Sequence, residues 1–160
     1  MPMAKSIAAI NNFLQRRLRL EGVEEIPART AASWLHDEAY LKDSKSSPGF
    51  PLRRLIRAKL IFGAFLRRNY FWYIRRVDDY RELLDSRQLC SVLELKNRKS
   101  LYKKIRSQSI PHVRVGENRL MFFRDEILAW LLKHNEMVAY EALQANKFME
   151  TEHSVKVLSK

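Results

Sequence analysis

Residues 52–61 read LRRLIRAKLI, and residues 101–110 read LYKKIRSQSI. The two stretches align without a gap, so that Leu52 and Ile56 fall on apolar residues and Arg57 falls on a second arginine. Apolar residues at this spacing, with basic residues between them, are typical of a helix that packs one face and exposes the other. The chain therefore contains an internal repeat, and we expect its two halves to share a fold.

The same register continues beyond the helix into an alternating segment. Six residues match in order, with Ala64, Leu66, Asn69, Phe71, Tyr73 and Arg75 falling on Val113, Val115, Asn118, Leu120, Phe122 and Arg124. Upstream, Ala31, Ala32 and Leu35 match Leu89, Cys90 and Leu93 if the first half has a longer loop, from Lys42 to Phe50. Each half is thus predicted to form a helix, a turn, a second helix and a two-stranded ribbon. A chance likeness of two basic helices is the alternative, and the continued register argues against it.

A second group of motifs carries a resemblance to a known family. Its segments follow in order: DSRQLC (85–90), KSLYKKI (99–105), IPHVRVG (110–116), NRLMF (118–122) and RDEILAWL (124–131). Residues 84–131 thereby resemble the excisionase-type DNA-binding domain, a winged helix-turn-helix related to the reader domain of MerR-like regulators. One position departs from the family pattern, since Gln108 stands where a glycine usually precedes the proline-containing turn. Residues 27–77 resemble the same domain more loosely.

The repeat and the resemblance together predict an α+β chain, mainly α with small β-ribbons. We expect tandem winged helix-turn-helix units with flanking helices, divided as residues 1–25 (N-terminal amphipathic helix), 26–77 (first unit), 78–134 (second, excisionase-like unit) and 135–160 (C-terminal helix and tail). The N-terminal helix, over residues 6–21, packs on the neighbouring domain in one interpretation and forms a dimer contact or a DNA-contacting arm in the others. The C-terminal helix is expected to run from Arg124 toward Phe148, followed by a frayed tail from Thr151 to Lys160.

The charge balance points to the class of partner. Thirty lysines and arginines against eighteen aspartates and glutamates give a formal net charge of +12 and a pI near 10.1. This excess is larger than solubility requires and indicates a polyanionic partner. No acidic residue lies between Ser44 and Val77, although nine basic residues do. A solvated basic face is the alternative, but surfaces kept for solubility usually intersperse both signs.

The resemblance also assigns the residues that face DNA. In a winged helix-turn-helix the second helix enters the major groove, and the wing lies along the backbone or in the minor groove. The expected contacts are Lys45, Arg53, Arg54, Arg57, Arg67, Arg68 and Asn69 in the first unit, and Arg98, Lys99, Ser100, Tyr102, Lys103, Arg106, Arg114, Asn118 and Arg119 in the second. Arginine reads guanine with two parallel hydrogen bonds, whereas lysine, serine and tyrosine more often hold phosphate. We expect Arg53 and Lys103 to contribute most.

Two hydrophobic cores are predicted from the apolar positions. The first is expected to contain Trp34, Leu35, Leu52, Ile56, Ile61 and Trp72, and the second Leu89, Val92, Leu93, Leu101, Ile105, Val113, Val115, Leu120, Phe122 and Trp130. The aromatic run at residues 71–74 has two interpretations, core packing or a platform on which single-stranded bases stack. Core packing is favoured because so small a unit needs its aromatic residues inside.

The sequence offers no arrangement of catalytic or metal-binding residues. The histidines His36, His112, His134 and His153 are scattered, without a second ligand at metal-binding spacing. The single cysteine, Cys90, excludes an intrachain disulfide and suggests a buried thiol in a reducing compartment. An acidic cluster, Asp78, Asp79, Glu82 and Asp85, suits magnesium in a nuclease, but a helical linker with a capping carboxylate explains it more simply. We therefore expect no enzymatic activity, no metal and no cofactor.

The resemblance implies a sequence-specific double-stranded DNA-binding protein. The specific expectation is an excisionase-like accessory and architectural factor, which bends DNA and directs recombination in a mobile element, with a recombinase or integrase as partner and with oligomers forming on DNA. The alternatives are a transcriptional regulator, a replication initiator that meets a replication protein, and a protein-interaction module whose basic face binds an acidic partner. Since no segment reads as a signal peptide or a membrane span, we expect a cytoplasmic protein associated with the nucleoid.

Overall fold

The structure, a computed structural model, describes residues 5–117 and 119–145. The fold is mixed α+β and contains two small antiparallel sheets of three strands each. The elements before the midpoint are α1 (Ile7–Leu20), β1 (Glu25–Pro27), α2 (Ala28–Asp37), α3 (Phe50–Arg57), β2 (Ala64–Leu66) and β3 (Trp72–Arg75). Those after it are β4 (Leu83–Asp85), α4 (Ser86–Val92), α5 (Arg98–Gln108), β5 (Val113–Val115), β6 (Arg119–Phe123), α6 (Arg124–Lys133) and α7, described over 137–145.

The two halves of the chain repeat one topology. In the first half (residues 25–75) and in the second half (residues 83–133), a strand leads into two helices and then into a hairpin. The strand order is also the same, β1-β3-β2 in one sheet and β4-β6-β5 in the other. The internal repeat inferred from the sequence is therefore present in the fold. A hairpin of two strands was expected in each half, and the structure adds the strand that precedes the first helix.

Residues 76–85 contain strand β4 and no helix, so the helical linker predicted around Asp78, Asp79, Glu82 and Asp85 is wrong. Three residues of that segment form β4 and pair with β6, so that Leu84 lies opposite Phe122. The local periodicity did not reveal β4, because the strand that it pairs with lies far along the chain. Its effect is to bury Leu83 and Leu84 and to place Asp85 at the start of α4.

The repeat register holds as far as the first strand of each hairpin and then shifts. β2 and β5 occupy matching positions, but five residues connect β2 to β3 and only three connect β5 to β6. The expected match of Asn69 through Arg75 with Asn118 through Arg124 is therefore wrong. Arg75 is exposed at the end of a strand, whereas Arg124 is buried at the start of α6. A turn can gain two residues without disturbing the strand pairing, so the register is lost at the turn.

The predicted cores are largely confirmed. In the first half Leu35, Leu52, Ile56 and Ile61 are buried, with Trp34 and Trp72 packed partly against them. In the second half the buried set includes Leu89, Val92, Leu101, Ile105, Phe122 and Trp130, with Leu93 and Leu120 partly buried. Val115 and Val113 belong instead to a third cluster, which also contains residues of α1 and of the first half, namely Ile7, Ala8, Leu55 and Leu60.

Helix α1 joins the two halves through buried polar side chains. Ser6 caps it by accepting a hydrogen bond from the Ala9 N–H (3.1 Å). Asn11 donates to the Leu60 carbonyl (2.9 Å) and accepts from the Phe62 N–H (2.8 Å), both in the first half. Asn12 lies one residue further and serves the second half instead. The structure therefore favours packing as the role of this helix.

Asn12 is bonded on every side. Its amide donates to the Leu83 carbonyl (2.9 Å), and its oxygen accepts from the Leu83 N–H (2.9 Å) and from the Tyr80 hydroxyl (2.6 Å). Burial raises the pKa of Tyr80, so the phenol stays protonated at neutral pH and remains a donor. Gln15 accepts from the Val77 N–H (2.8 Å). Helix α1 thus positions the segment between the two halves, from Val77 to Leu83, through hydrogen bonds.

The predicted C-terminal helix is divided. α6 ends at Lys133, Asn135 adopts a left-handed conformation with φ of 56°, and α7 begins at 137. A left-handed residue ends a helix because it turns the chain away from its axis. The part of the prediction beyond 145, including Phe148 and the tail from Thr151, lies outside the described residues. Within 5–117 and 119–145, none of the helices combines the length and the apolar character needed to cross a bilayer.

Candidate nucleic-acid interface

Helix α3 exposes a basic face in the first half. It starts after Gly49, whose φ of 83° sets the turn into the helix, and it buries Leu52 and Ile56. Arg54 and Arg57 are exposed on the other side and form no ion pair with any described residue. Two fully charged guanidinium groups are therefore free to bind an anion.

Arg53 behaves differently from its neighbour Arg54. It is only partly exposed, and its guanidinium donates a hydrogen bond to the Pro48 carbonyl (3.1 Å). Arg53 is thus committed in part to the loop before α3, although the sequence ranked it first. The same loop is fastened by Asp43, which accepts hydrogen bonds from the Ser44 and Gly49 N–H groups (2.9 and 2.8 Å). Lys45, another predicted contact, lies exposed on this loop.

The hairpin β2–β3 carries the next three predicted contacts. Arg67 forms an ion pair with Glu25 and stacks on the Tyr73 ring, 4.3 Å from its centroid. Asn69 accepts a hydrogen bond from the Phe71 N–H (3.1 Å) and so shapes the turn. Arg68 is exposed and has no ion-pair partner among the described residues. Of these three side chains, Arg68 is the one whose charge is available.

Helix α5 presents the corresponding face of the second half. Asn97 caps the helix by accepting from the Ser100 N–H (2.9 Å) and the Ser100 hydroxyl (3.1 Å). Leu101 and Ile105 point into the core. Five of the six predicted residues of α5 line one shallow depression along the helix, namely Lys99, Ser100, Tyr102, Lys103 and Arg106. The three cations in that set are exposed and have no ion-pair partner in the described chain.

The hairpin β5–β6 packs against the first half instead of standing free. Gly116, at its turn, has a φ of 68°, and a β-carbon there would lie 2.9 Å from Leu60 and 3.2 Å from the Ala58 carbonyl. Arg114 and Arg119 are exposed on the two strands. Asn118, predicted to contact DNA, lies outside the described residues. The second hairpin therefore contributes its strand residues, and its turn serves partly as a contact between the halves.

A cleft of about 900 Å³ lies where the two halves meet. Four of the predicted contacts line it, namely Arg57, Arg98, Tyr102 and Arg119. Two further cations that the sequence analysis did not select, Lys59 and Arg87, line it as well. Lys59 lies within the acid-free segment of the first half, which is the signal that would have found it. Arg87 lies next to the cap of α4, where no pattern in the sequence distinguished it.

The acidic residues of the cleft do not balance these cations. Asp85 uses its carboxylate to accept the Gln88 N–H (2.7 Å), and Glu117 lies exposed at the second turn. The described ion pairs are concentrated elsewhere, at α1, at the start of β1 and around residues 76–82 and 124–126. Residues 44–77 and 95–116 together carry sixteen basic and no acidic residues, more than the net +12 of the chain. The surplus positive charge thus lies on these two segments.

Cys90 and the potential metal ligands are the other groups whose chemistry the sequence analysis considered. Cys90 is buried beneath the start of α5, 3.7 Å from the Asn97 carbonyl, and burial raises the pKa of its thiol. The thiol is therefore protonated at neutral pH and is a poor nucleophile. Among residues 5–117 and 119–145, His, Cys, Asp and Glu form no group that could hold a metal ion.

Nothing matches this chain among family models, curated proteins or solved structures.

Proposed function

We propose that this protein binds double-stranded DNA in a sequence-specific manner through two winged helix-turn-helix units, formed by its two halves. The observation that carries the proposal is the convergence of unpaired cations from both halves on one cleft. In this interpretation α3 and α5 are the recognition helices and the two hairpins are the wings. The basic surface is too concentrated to serve solubility alone.

The proposed roles follow from side-chain chemistry. Arg54 and Arg57 on α3 and Arg106 on α5 present guanidinium groups that pair with the O6 and N7 atoms of guanine in the major groove. Lys99 and Lys103 act as point charges and suit phosphate oxygens. Arg53, already bonded to Pro48, contributes less than the sequence suggested. Lys59 and Arg87 contact the backbone where it crosses the cleft.

Two DNA-binding units in one chain bind DNA more tightly than two separate units. Once the first reader is bound, the second binds as an intramolecular event, which raises the overall affinity without new contacts. The hydrogen bonds from α1 to both halves fix their separation and therefore the spacing of the half-sites. We expect a bipartite site of about two helical turns. The role that we assign is the excisionase-like one, acting at the nucleoid with a recombinase as partner, and it rests on the sequence resemblance.

Selection from a randomised pool of duplexes tests the proposal. The wild-type chain is compared with an Arg54→Ala/Arg57→Ala variant and with a Lys103→Ala/Arg106→Ala variant. Lys133→Ala is the control, since it removes an exposed charge at the end of α6. We expect one bipartite motif, of which each double variant erases a different half while weakening binding by about tenfold or more.

The salt dependence separates this outcome from simple charge attraction. If about six phosphates are contacted, affinity falls roughly a thousandfold between 50 and 200 mM salt. Loss of one half of the motif with the other half unchanged supports two independent readers. If no sequence is enriched and both double variants weaken binding equally, the chain is a nonspecific basic binder and the proposal fails.

A further inference from the structure

The turn of the first hairpin exposes large apolar side chains on a basic surface. Leu66 is 49% exposed, Tyr70 is 84% exposed and Phe71 is 66% exposed, within six consecutive residues. Trp72 and Ile74, further along the same strand, pack into the core instead. The core interpretation of the aromatic run is therefore wrong for Phe71, and Tyr70, which precedes the run, is exposed beside it. Both rings require another explanation. We call residues 66–71 the first tip.

The first tip is an ordered turn and not a loose loop. The Arg67 N–H donates to the Phe71 carbonyl (3.0 Å), and the Tyr70 N–H donates to the Arg67 carbonyl (2.9 Å). Tyr70 adopts a φ of 65°, a left-handed conformation that residues with a β-carbon rarely adopt. At the base, Arg67 is clamped between Glu25 and the Tyr73 ring. The turn thus holds two rings in solvent at the expense of backbone strain.

The positive charge around the first tip indicates which kind of molecule binds there. Arg68 is exposed beside the rings, and the first tip lies within the acid-free segment from 44 to 77. A second copy of this chain would bring the same positive charge to the contact. Duplex DNA instead offers an anionic rim around flat apolar bases, and apolar side chains are known to enter a base step from the minor groove. The chemistry of the tip therefore matches a base step flanked by phosphates.

We propose that the first tip is a wedge that enters the minor groove and kinks the DNA. Phe71 and Tyr70 insert at one base step, and Arg68 neutralises the adjacent phosphates. The inference rests on the proposed function and deepens it, because it names the residues that would kink the DNA. The second hairpin has a short turn with Gly116 and Glu117, packed on the first half. A single kink on the side of the first half follows, since only one turn has the rings.

The test measures bending and base unstacking at saturating protein, so that a loss of affinity does not obscure them. The probe is a duplex of about 30 base pairs, long enough for two half-sites a helical turn apart, with a dye at each end. It carries the selected bipartite sequence, or a mixed sequence if none is enriched. A second duplex series places 2-aminopurine at successive steps. The variants are Phe71→Ala, Phe71→Leu and Tyr70→Asn, the last of which suits the left-handed backbone.

For the wild type we expect the ends to approach and one 2-aminopurine position to brighten. Phe71→Ala is expected to lose both signals while its affinity falls about tenfold, as for other stacked aromatic residues. Phe71→Leu is expected to retain part of the bend because it keeps an apolar side chain. Leu132→Ala, which shortens an exposed apolar residue on α6, is the control and should change nothing.

Each other outcome overturns a defined part of the proposal. If the wild type binds the duplex without bending it, or if Phe71→Ala bends it equally, the wedge is wrong and the proposed function stands. If the wild type does not bind duplex DNA at all, the proposed function fails with it. Vesicles of phosphatidylserine give the last comparison, since Phe71-dependent binding to them without DNA bending would make the first tip a membrane contact. Thermal unfolding of each variant verifies that it is folded.

Discussion

The two halves share one topology but follow local sequence rules to different degrees. In the second half Asp85 and Gln88 form a capping box at α4, and Asn97 caps α5. In the first half the corresponding positions, Pro27 and Gly49, make no side-chain capping bond. The second half is therefore the better-specified structure. Departures from local rules in natural proteins tend to coincide with functional surfaces.

The hairpins differ in the same direction. The second turn is short, contains a glycine and packs against the other half, whereas the first turn is longer and displays two aromatic rings. The first half also holds the longer acid-free segment. This comparison indicates that the second half provides a regular framework, while the first half carries the specialised surface. The following variants test that division.

Gly63→Ala should destabilise the chain most. Gly63 has a φ of 78°, and a β-carbon there would lie 2.2 Å from the Arg75 carbonyl oxygen in the neighbouring strand. Because backbone cannot move aside cheaply, we expect a loss of at least about 3 kcal/mol in the free energy of unfolding, measured by urea denaturation. His112, which precedes β5, is the residue of the second half that matches Gly63. It does not adopt a left-handed φ.

Gly22→Ala is the matched control for backbone strain. Gly22 has a φ of 64°, but no atom lies within 4 Å of its β-carbon position. Its substitution should cost about 1 kcal/mol, the price of the left-handed conformation alone. Equal losses for the two variants would show that the close approach of β3 to Gly63 is unimportant. His112→Gly should give no gain, since His112 does not adopt the left-handed conformation.

The cores and the first strand of each hairpin were predictable because they depend on short-range periodicity. Leu52 and Ile56 are buried on one face of α3 as Leu101 and Ile105 are on α5, and spacing alone determines this. Strands β1 and β4 were not predictable, since their pairing depends on partners far along the chain. The buried amides of α1 were missed for the same reason. Asn11 and Asn12 look polar in sequence, and only tertiary contacts explain their burial.

Asn12→Ala should destabilise the second half more than the first. The substitution leaves the buried N–H and carbonyl of Leu83 without their partner, and the Tyr80 hydroxyl loses its acceptor. Unsatisfied buried groups each cost about 1–3 kcal/mol, so we expect a loss of about 2–3 kcal/mol. Hydrogen exchange followed by mass spectrometry should show faster exchange in β4 and β6 than in β2 and β3.

Asn11→Ala provides the mirror-image comparison. Asn11 bonds to Leu60 and Phe62, so its removal should accelerate exchange chiefly in the first half. If both variants accelerate exchange uniformly over the chain, the halves unfold as one unit and α1 does not serve them separately. That result would weaken the division between framework and specialised surface, but it would leave the interface residues unaffected.

The sequence predicted which cations of the candidate site are exposed, but not which of them form hydrogen bonds or ion pairs within the chain. The sequence found the exposed cations of α5 because the helical period places Lys99, Lys103 and Arg106 on one side. It could not foresee that Arg53 bonds to Pro48 or that Arg67 pairs with Glu25. Long arginine side chains reach several neighbours, and the choice among them depends on the folded loop. The cations that remain without an ion pair or hydrogen bond are therefore determined by the tertiary structure.

Asp85 gives the smallest and most selective prediction, because one carboxylate serves both stability and charge. Its side chain accepts the Gln88 N–H at the start of α4, and the residue also lines the basic cleft. Asp85→Ala should lower the free energy of unfolding by about 1 kcal/mol, while Asp85→Asn, an equally good cap, should leave it within a few tenths of that value. Both variants remove a negative charge that repels phosphate, so both should bind duplex DNA about twofold more tightly. Denaturation and fluorescence anisotropy measure the two effects separately. A gain in affinity for Asp85→Asn alone would attribute it to the new amide, whereas no gain for either variant would place the DNA backbone away from the cleft.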